Sequence, residues 1–439
     1  MKKYLLVSLM TISAFSCTLL NQIASNESPS GLSVPQAGLI AYIGTDGNVY
    51  ITSPEGENTQ AITKDANPSP SPGELSKRYQ QPAWSPDGTR LAFVGTEGTL
   101  QAVDQAVVYT VRDDGSELTG AFTSKAYFPF YLYWSPDSQS ISFLSNGTTE
   151  EGLVLHLADA LGSESHIVGT GQPFYWAWSP DSDLLVIHTG GDQATNPQAR
   201  LAFLSSTAGG VNRAMELSPA VFQAPDWSQD GERVVVATTD ETGKSELVLA
   251  GRDGSKQQSL VEFEGNIAFS LSPDGRSLVY STPVPPKEDA TGFMREVYLL
   301  DFDQPQHAES IAKDFVVGYF WSPDSQRVAF FAPVFGPQTK SKESAPLPVE
   351  VQLGLFVVDI RSKEVKRLAV FTPTDAFLEI LPFYDQYQRS ITIWSPDSRH
   401  LVFTAGEADG TPGIFVVPSD GSSLQQRIAR GEFAIWSWR

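Results

Sequence analysis

The amino-acid sequence predicts an all-β chain of repeated four-stranded antiparallel sheets standing around an axis. Three observations predict it: a tetrapeptide that recurs, an apolar run after each copy, and an abundance of turn residues. The motif first stands in "QQPAWSPDGTRLAF", Gln80 to Phe93. It returns as "YWSPDSQSISF" at Trp134, "AWSPDSDLLVI" at Trp178, "DWSQDGERVVV" at Trp227, "SLSPDGRSLVY" at Leu271, "FWSPDSQRVAF" at Trp321 and "IWSPDSRHLVF" at Trp394. A clipped copy, "AIWSWR", ends the sequence at Trp436. Successive copies are 50, 44, 49, 44, 50, 73 and 42 residues apart. A period of that size belongs to units that bury their faces only against their neighbours. With 35 Gly and 30 Pro, turns are plentiful, and four antiparallel strands per unit make the β-propeller blade.

Each unit reads in the same order. Strand a is the short apolar or aromatic stretch ending at the Trp. In the Ser-Pro-Asp-Gly/Ser turn that follows, Pro presets φ, Asp bonds the backbone two residues on and Gly relieves strain. Strand b comes next: Leu91–Val94, Ile141–Leu144, Leu184–Ile187, Val234–Val236, Leu278–Tyr280, Val328–Phe331 and Leu401–Phe403. Strand c lies beyond a variable loop: Val107–Val111, Leu153–Leu157, Leu201–Leu204, Leu247–Ala250, Val297–Leu300, Leu355–Ile360 and Ile414–Val417. Asp-Gly turns such as Asp114-Gly115 and Asp253-Gly254 mark its end. A weaker strand d, for example Arg367–Val370, completes the unit. No amphipathic helix stands out.

The first unit has strand b (Leu39–Ile43) and strand c (Val49–Ile51) but no strand a, and the last has only strand a (Phe433–Trp438). If these fragments pair, the ring closes without a free edge and the propeller has eight blades; if they do not, it has seven. Asp87, Asp137, Asp181, Asp230, Asp274, Asp324 and Asp397 occupy one equivalent position in seven units. One substrate cannot use seven copies spread around a ring, so these residues are expected to shape turns. The Trp residues are expected to pack sheet against sheet.

The formal charge is −21 and 41% of the 439 residues are hydrophobic. Such a chain buries a large core, and its surface repels nucleic acid and anionic lipid. The N-terminus reads as a targeting segment, residues 1–17: Lys2-Lys3, then an apolar run from Tyr4 to Phe15, too short to span a bilayer and suited to a signal peptide. "SAFSC" ends it at Cys17, the only cysteine in the sequence. Its position resembles the lipidated cysteine of bacterial lipoproteins, although Ala14 stands where that pattern prefers Leu. Ala14-x-Ser16 also fits ordinary signal-peptidase cleavage. Residues 18–37 read as a flexible linker and residues 38–439 as the propeller.

The repeated Trp-Ser-Pro-Asp-[Gly/Ser] with its following apolar strand resembles the TolB-type, WD40-like propeller repeat over about residues 38–439. The resemblance implies the fold and leaves function open, because families with this repeat include periplasmic scaffold proteins, the gating propellers of prolyl oligopeptidase-like enzymes, and some lyases. TolB carries an α/β domain before its propeller and the peptidases an α/β-hydrolase domain beside theirs; neither is visible in this sequence.

The sequence offers little for catalysis. It has no Gly-x-Ser-x-Gly elbow, no P-loop, and five His (His156, His166, His188, His307 and His400) with none paired at metal-ligand spacing. No cofactor, metal or catalytic residue is expected. Aromatic clusters before certain strands a stand out instead: Tyr127, Phe130 and Tyr131; Phe174, Tyr175 and Trp176; Tyr319; Tyr384 and Tyr387. These are the candidate ligand-binding residues, since aromatics anchor recognition, with packing between blades as the alternative. Long loops at 67–81, 283–293, 332–350 and 372–388 are further candidates. The expected protein is a monomeric, non-catalytic binding or scaffold protein of the bacterial envelope. It would be periplasmic or extracellular, touch the membrane only through a lipid on Cys17, bind no nucleic acid, and recognise a protein or peptide through the funnel and the long loops. The alternative is an enzyme acting on a polysaccharide or peptide with residues from several blades.

Overall fold

A computed structural model describes residues 37–284, 294–302, 304, 307–334 and 352–439. The targeting segment, Cys17, the linker up to residue 36 and most of the loops at 283–293 and 332–350 lie outside the described residues.

The repeat folds as its pattern predicts. Five units are separate four-stranded antiparallel sheets. The Trp84 unit, for example, runs Ser76–Trp84, Arg90–Gly98, Val103–Arg112 and Thr119–Ser124. The Trp321, Trp394 and Trp436 units are linked in one ten-stranded sheet by strands that serve two units. Gln426–Trp436 is the clearest of these. Its first half pairs with Pro412–Pro418, and its second half pairs with Ile40–Gly44 in the register Ile40 to Trp436 and Ile43 to Phe433. The C-terminal strand therefore joins the N-terminal strands Ile40–Gly44, Val49–Thr52 and Gln60–Ala61 in one sheet.

Apolar residues fill the spaces between consecutive units. Ala83, Ala92, Val94 and Val108 of the Trp84 unit pack on Leu132, Trp134, Ile141 and Phe143 of the next. Comparable cores lie between every other pair of successive units, including one where Ala41, Val49 and Ile435 meet Tyr79, Trp84 and Phe93. The indole N–H groups tie the same seams. Those of Trp134, Trp227, Trp321 and Trp394 donate to the carbonyls of Ala83, Ala177, Ser270 and Phe320, each one residue before the equivalent position of the preceding unit.

All seven Asp residues shape turns. Each carboxylate accepts a bond of 2.5–2.6 Å from the Ser hydroxyl two residues before it. Each also accepts the backbone N–H two residues on, at 3.0–3.2 Å. At Asp230 the Ser228 hydroxyl and then the Glu232 amide hold the carboxyl below its usual range. The next residue is left-handed in every turn. It is Gly at 88, 231 and 275, but Ser138, Ser182, Ser325 and Ser398 hold φ of 58–65°, a region unfavourable for residues with a Cβ. Their hydroxyls accept the N–H of Asp87, Asp137, Asp274 and Asp324 in the preceding unit, so each inter-unit bond offsets its local strain.

One segment breaks the pattern. Between Pro373 and the Trp394 turn lies a helical excursion: α1 (Asp375–Ile380), a 3-10 turn (Leu381–Phe383) and α2 (Tyr384–Tyr387). Thr374 caps α1 by accepting the Phe377 N–H, and Pro382 sits at the start of the 3-10 turn, where its missing N–H costs nothing. The sequence reading had a loop here. The helices are too short to show a helical period.

Candidate functional site: the helical excursion and its cavity

The excursion is anchored to strands a and their neighbours in five units. The Gln386 side chain behaves like an added strand toward Trp176: its Oε1 accepts the Trp176 N–H at 3.0 Å, and its Nε2 donates to the Trp176 carbonyl at 2.9 Å and to the Tyr131 hydroxyl at 2.7 Å. The Tyr131 hydroxyl in turn donates to the Gln386 carbonyl. Tyr384 stacks edge-on to Tyr319 at 5.0 Å and shares a hydrogen bond with Ser281. Gly318 makes room, since a Cβ there would stand 3.1 Å from Leu381 and 3.3 Å from the Tyr384 ring.

Arg389 completes the anchorage. It is ion-paired with Asp226, the two side chains being 6% and 15% exposed, and reaches the carbonyls of Ala224 and Phe269. Asp226 also accepts the Leu271 N–H of the following unit at 2.9 Å. Burial raises the Asp385 carboxyl above its usual range, with Arg389 opposing the shift. Enclosing this many polar groups is expensive unless all are paired.

Beside the excursion lies a cavity of about 760 Å³, within the range of ligand sites. Ala376, Ile380, Gln386 and Tyr387 form one wall, and residues 78–82, 130–132 and 173–175 form the other. Two wall residues, Gln81 and Tyr131, hold φ of 54° and 51° at bulges in their strands. Such strain gathers at functional sites. Tyr131 packs on Tyr387 at 4.7 Å, and Tyr175 on Phe222 at 4.2 Å. The charged lining is Arg78, Asp375, Glu379 and Glu432. Burial, then the neighbouring Asp375, pushes the Glu432 carboxyl up, and Arg78 works against both.

Of the aromatics singled out in the sequence, Phe130, Tyr131, Phe174, Tyr175 and Tyr387 line this cavity. Trp176 is fully buried, with its indole N–H on Ser142 at 2.9 Å. Tyr319 and Tyr384 meet on another side of the excursion, and Tyr127 lies 5.0 Å from the His156 ring, away from the cavity lining. Gln386, Arg389, Asp226, Phe222 and the rim carboxylates were not singled out. One signal existed: Asp226 stands immediately before Trp227, where other units have Ala83, Tyr133, Ala177, Ser270, Phe320, Ile393 and Ile435. Among the described residues, no group of three or more His, Cys, Asp or Glu could hold a metal ion. No described helix is long and apolar enough to cross a membrane.

Solved structures share this architecture. The chain is similar to an oligogalacturonate lyase from Vibrio parahaemolyticus, at 15% identity and TM-score 0.51 over 87% of this chain and 97% of that one. It is equally similar to an oligogalacturonate lyase in complex with manganese, at 13% identity and TM-score 0.51 over 87% and 96%. TolB from Acinetobacter baumannii aligns at 12% identity and TM-score 0.37 over 83% and 79%. No family model matches the chain, and no curated protein matches it. At such identities the likeness is one of fold: the chain is a β-propeller. Its Trp-Ser-Pro-Asp repeat is the TolB-like feature that the sequence displays.

Proposed function

We propose that this protein is a non-catalytic binding protein of the bacterial envelope that receives a segment of a partner protein or peptide in the cavity beside the helical excursion. The observation that carries the proposal is the cavity itself: walled by aromatic side chains from several units, and flanked by two strained strand positions. A rigid aromatic wall gives large contact area at little entropic cost. In the same reading the propeller has eight blades, the eighth being the composite of residues 40–61 with 431–436. The pairing of Ile40–Gly44 with the C-terminal strand and the succession of cores between units support this count. Residues 1–17 direct export, and Cys17 carries a lipid that tethers a monomeric propeller through residues 18–37.

The test is a random-peptide display panned on the wild-type protein and on the Phe130→Ala/Tyr175→Ala variant. Peptides enriched on the wild type should fail to bind the variant. Absence of enrichment, or equal binding to both proteins, would remove the proposal. Palmitate labelling lost in Cys17→Ala would support the lipid tether, and labelling that persists would refute it.

A further inference from the structure

Two independent features of the cavity favour the same ligand chemistry. Aromatic faces carry negative charge above the ring and attract cations; Phe130, Tyr175, Phe222, Tyr387 and Phe433 supply such faces here. The charged lining is three carboxylates, Asp375, Glu379 and Glu432, against the one guanidinium of Arg78. Asp375 and Glu432 both stand in the lining, and Asp375 adds, after burial, to the rise of the Glu432 carboxyl. A cation entering the cavity meets net negative charge and aromatic rings together, and an anion is opposed by both. The same excursion exposes Phe383 in the cavity lining and, beyond the lining, Leu378, at 50% and 40%. Apolar surface of this kind contacts what lies on either side of an inserted group, which a small free cation lacks and a peptide has.

We infer that the cavity selects a basic peptide segment, taking a Lys or Arg side chain among the aromatic rings with its charge toward Asp375, Glu379 and Glu432. This rests on the peptide-binding reading above.

A positional-scanning hexapeptide library, each pool with one fixed residue, tests it by fluorescence anisotropy on the whole chain, with n-butylammonium and methylguanidinium as free-cation competitors. Pools fixed with Arg or Lys should bind at least ten-fold more tightly than pools fixed with citrulline or norleucine. The Asp375→Asn/Glu379→Gln/Glu432→Gln variant should lose that preference and bind the neutral pools as the wild type does. Equal binding of basic and neutral pools overturns the charge selection and leaves the peptide reading standing. Competition by the free cations with no pool bound overturns the peptide source. No binding of either kind overturns both. Because the substituted carboxylates lie on the rim, an unchanged melting temperature distinguishes lost recognition from lost folding. If the variant unfolds, Glu379→Gln alone, on the exposed face of α1, carries the comparison, and an undiminished basic preference there and in Asp375→Asn overturns the inference.

Discussion

The seven Ser-x-Asp turns, six of them Ser-Pro-Asp, and the single excursion Thr374–Ser390 both hold neighbouring sheets together, in different ways. Each turn satisfies itself locally: a Ser hydroxyl and a backbone N–H on one carboxylate, plus in four cases a single bond to the preceding unit. The excursion closes its own short turns by local backbone bonds and the Thr374 cap, but its long side chains find their partners in distant units. Gln386 bonds to two units, Arg389 to two others, and Tyr384 to Ser281. Repetition spreads stability evenly and creates no site, because equivalent residues face equivalent neighbours. Only the segment that departs from the repeat brings unlike units to one place, and the cavity lies against it.

The comparison breaks most severely if the shared scaffold is opened. Removing residues 431–439 takes away the strand that pairs with Ile40–Gly44. The expected outcome is loss of cooperative unfolding, read by urea denaturation followed by Trp fluorescence. A milder form is Trp436→Ala. Trp436 is fully buried, and such truncations cost about 3–5 kcal/mol.

The next effect is specific to the excursion. Arg389→Met leaves the largely covered Asp226 carboxylate with backbone N–H donors but no cation, and breaking a buried pair in this way costs up to about 3–5 kcal/mol. The double change Asp226→Leu/Arg389→Met removes both charges, so stability should return to within about 1–2 kcal/mol of wild type or exceed it. If the double variant is as unstable as the single one, the ion pair is not what seats the excursion. Paired urea titrations decide.

This asymmetry also explains what the sequence revealed. Strands a, b and c could be located from Trp84, Leu91–Val94 and Val107–Val111 because side-chain pattern and turn chemistry are local and occur repeatedly. The pairing of Ile40 with Trp436 could be anticipated because the first unit lacked the strand a that the last unit had. Five of the nine candidate aromatics line the cavity, four of them (Phe130, Tyr131, Phe174 and Tyr175) on strands a that the repeat located. Gln386 and Arg389 were hidden for a physical reason. Helices of six and four residues show no periodicity, and the Arg389–Asp226 pair links positions far apart in the chain. Asp226 was the visible half, an acid where every other unit keeps an apolar or small residue.

A third effect belongs to the regular region and is set by pH. His156, on strand c of the Trp134 unit, is buried, stacked on Phe143 at 5.1 Å and hydrogen-bonded to Ser145 at 2.8 Å. Burial pushes its pKa down to about 4, against about 6.5 unfolded. Above pH 6.5 both states are neutral and its contribution is fully present. As pH falls from 6.5 toward 4, the unfolded chain takes up a proton that the folded chain refuses, and stability declines by up to about 1.4 kcal/mol per pH unit. Urea midpoints between pH 7 and 5 should fall more steeply for wild type than for His156→Gln. Parallel profiles would show that the folded ring takes up its proton as readily as the unfolded one.

The smallest effects should come from a single turn, because seven copies share the task. Asp137→Ala removes acceptors for the Ser135 hydroxyl and the Gln139 N–H, at a cost of about 1–2 kcal/mol. Ser138→Gly, one residue on, should be nearly neutral. It loses the bond from the Asp87 N–H, worth about 1 kcal/mol, and releases a left-handed Cβ strain of about 1–2 kcal/mol. Ser138→Ala separates the two terms, since it keeps the strain and loses the bond, and it should be the least stable of the Ser138 pair. If Ser138→Ala matches Ser138→Gly in its melting temperature, the strain is negligible, and Ser occupies this position for its hydrogen bond to the neighbouring unit alone.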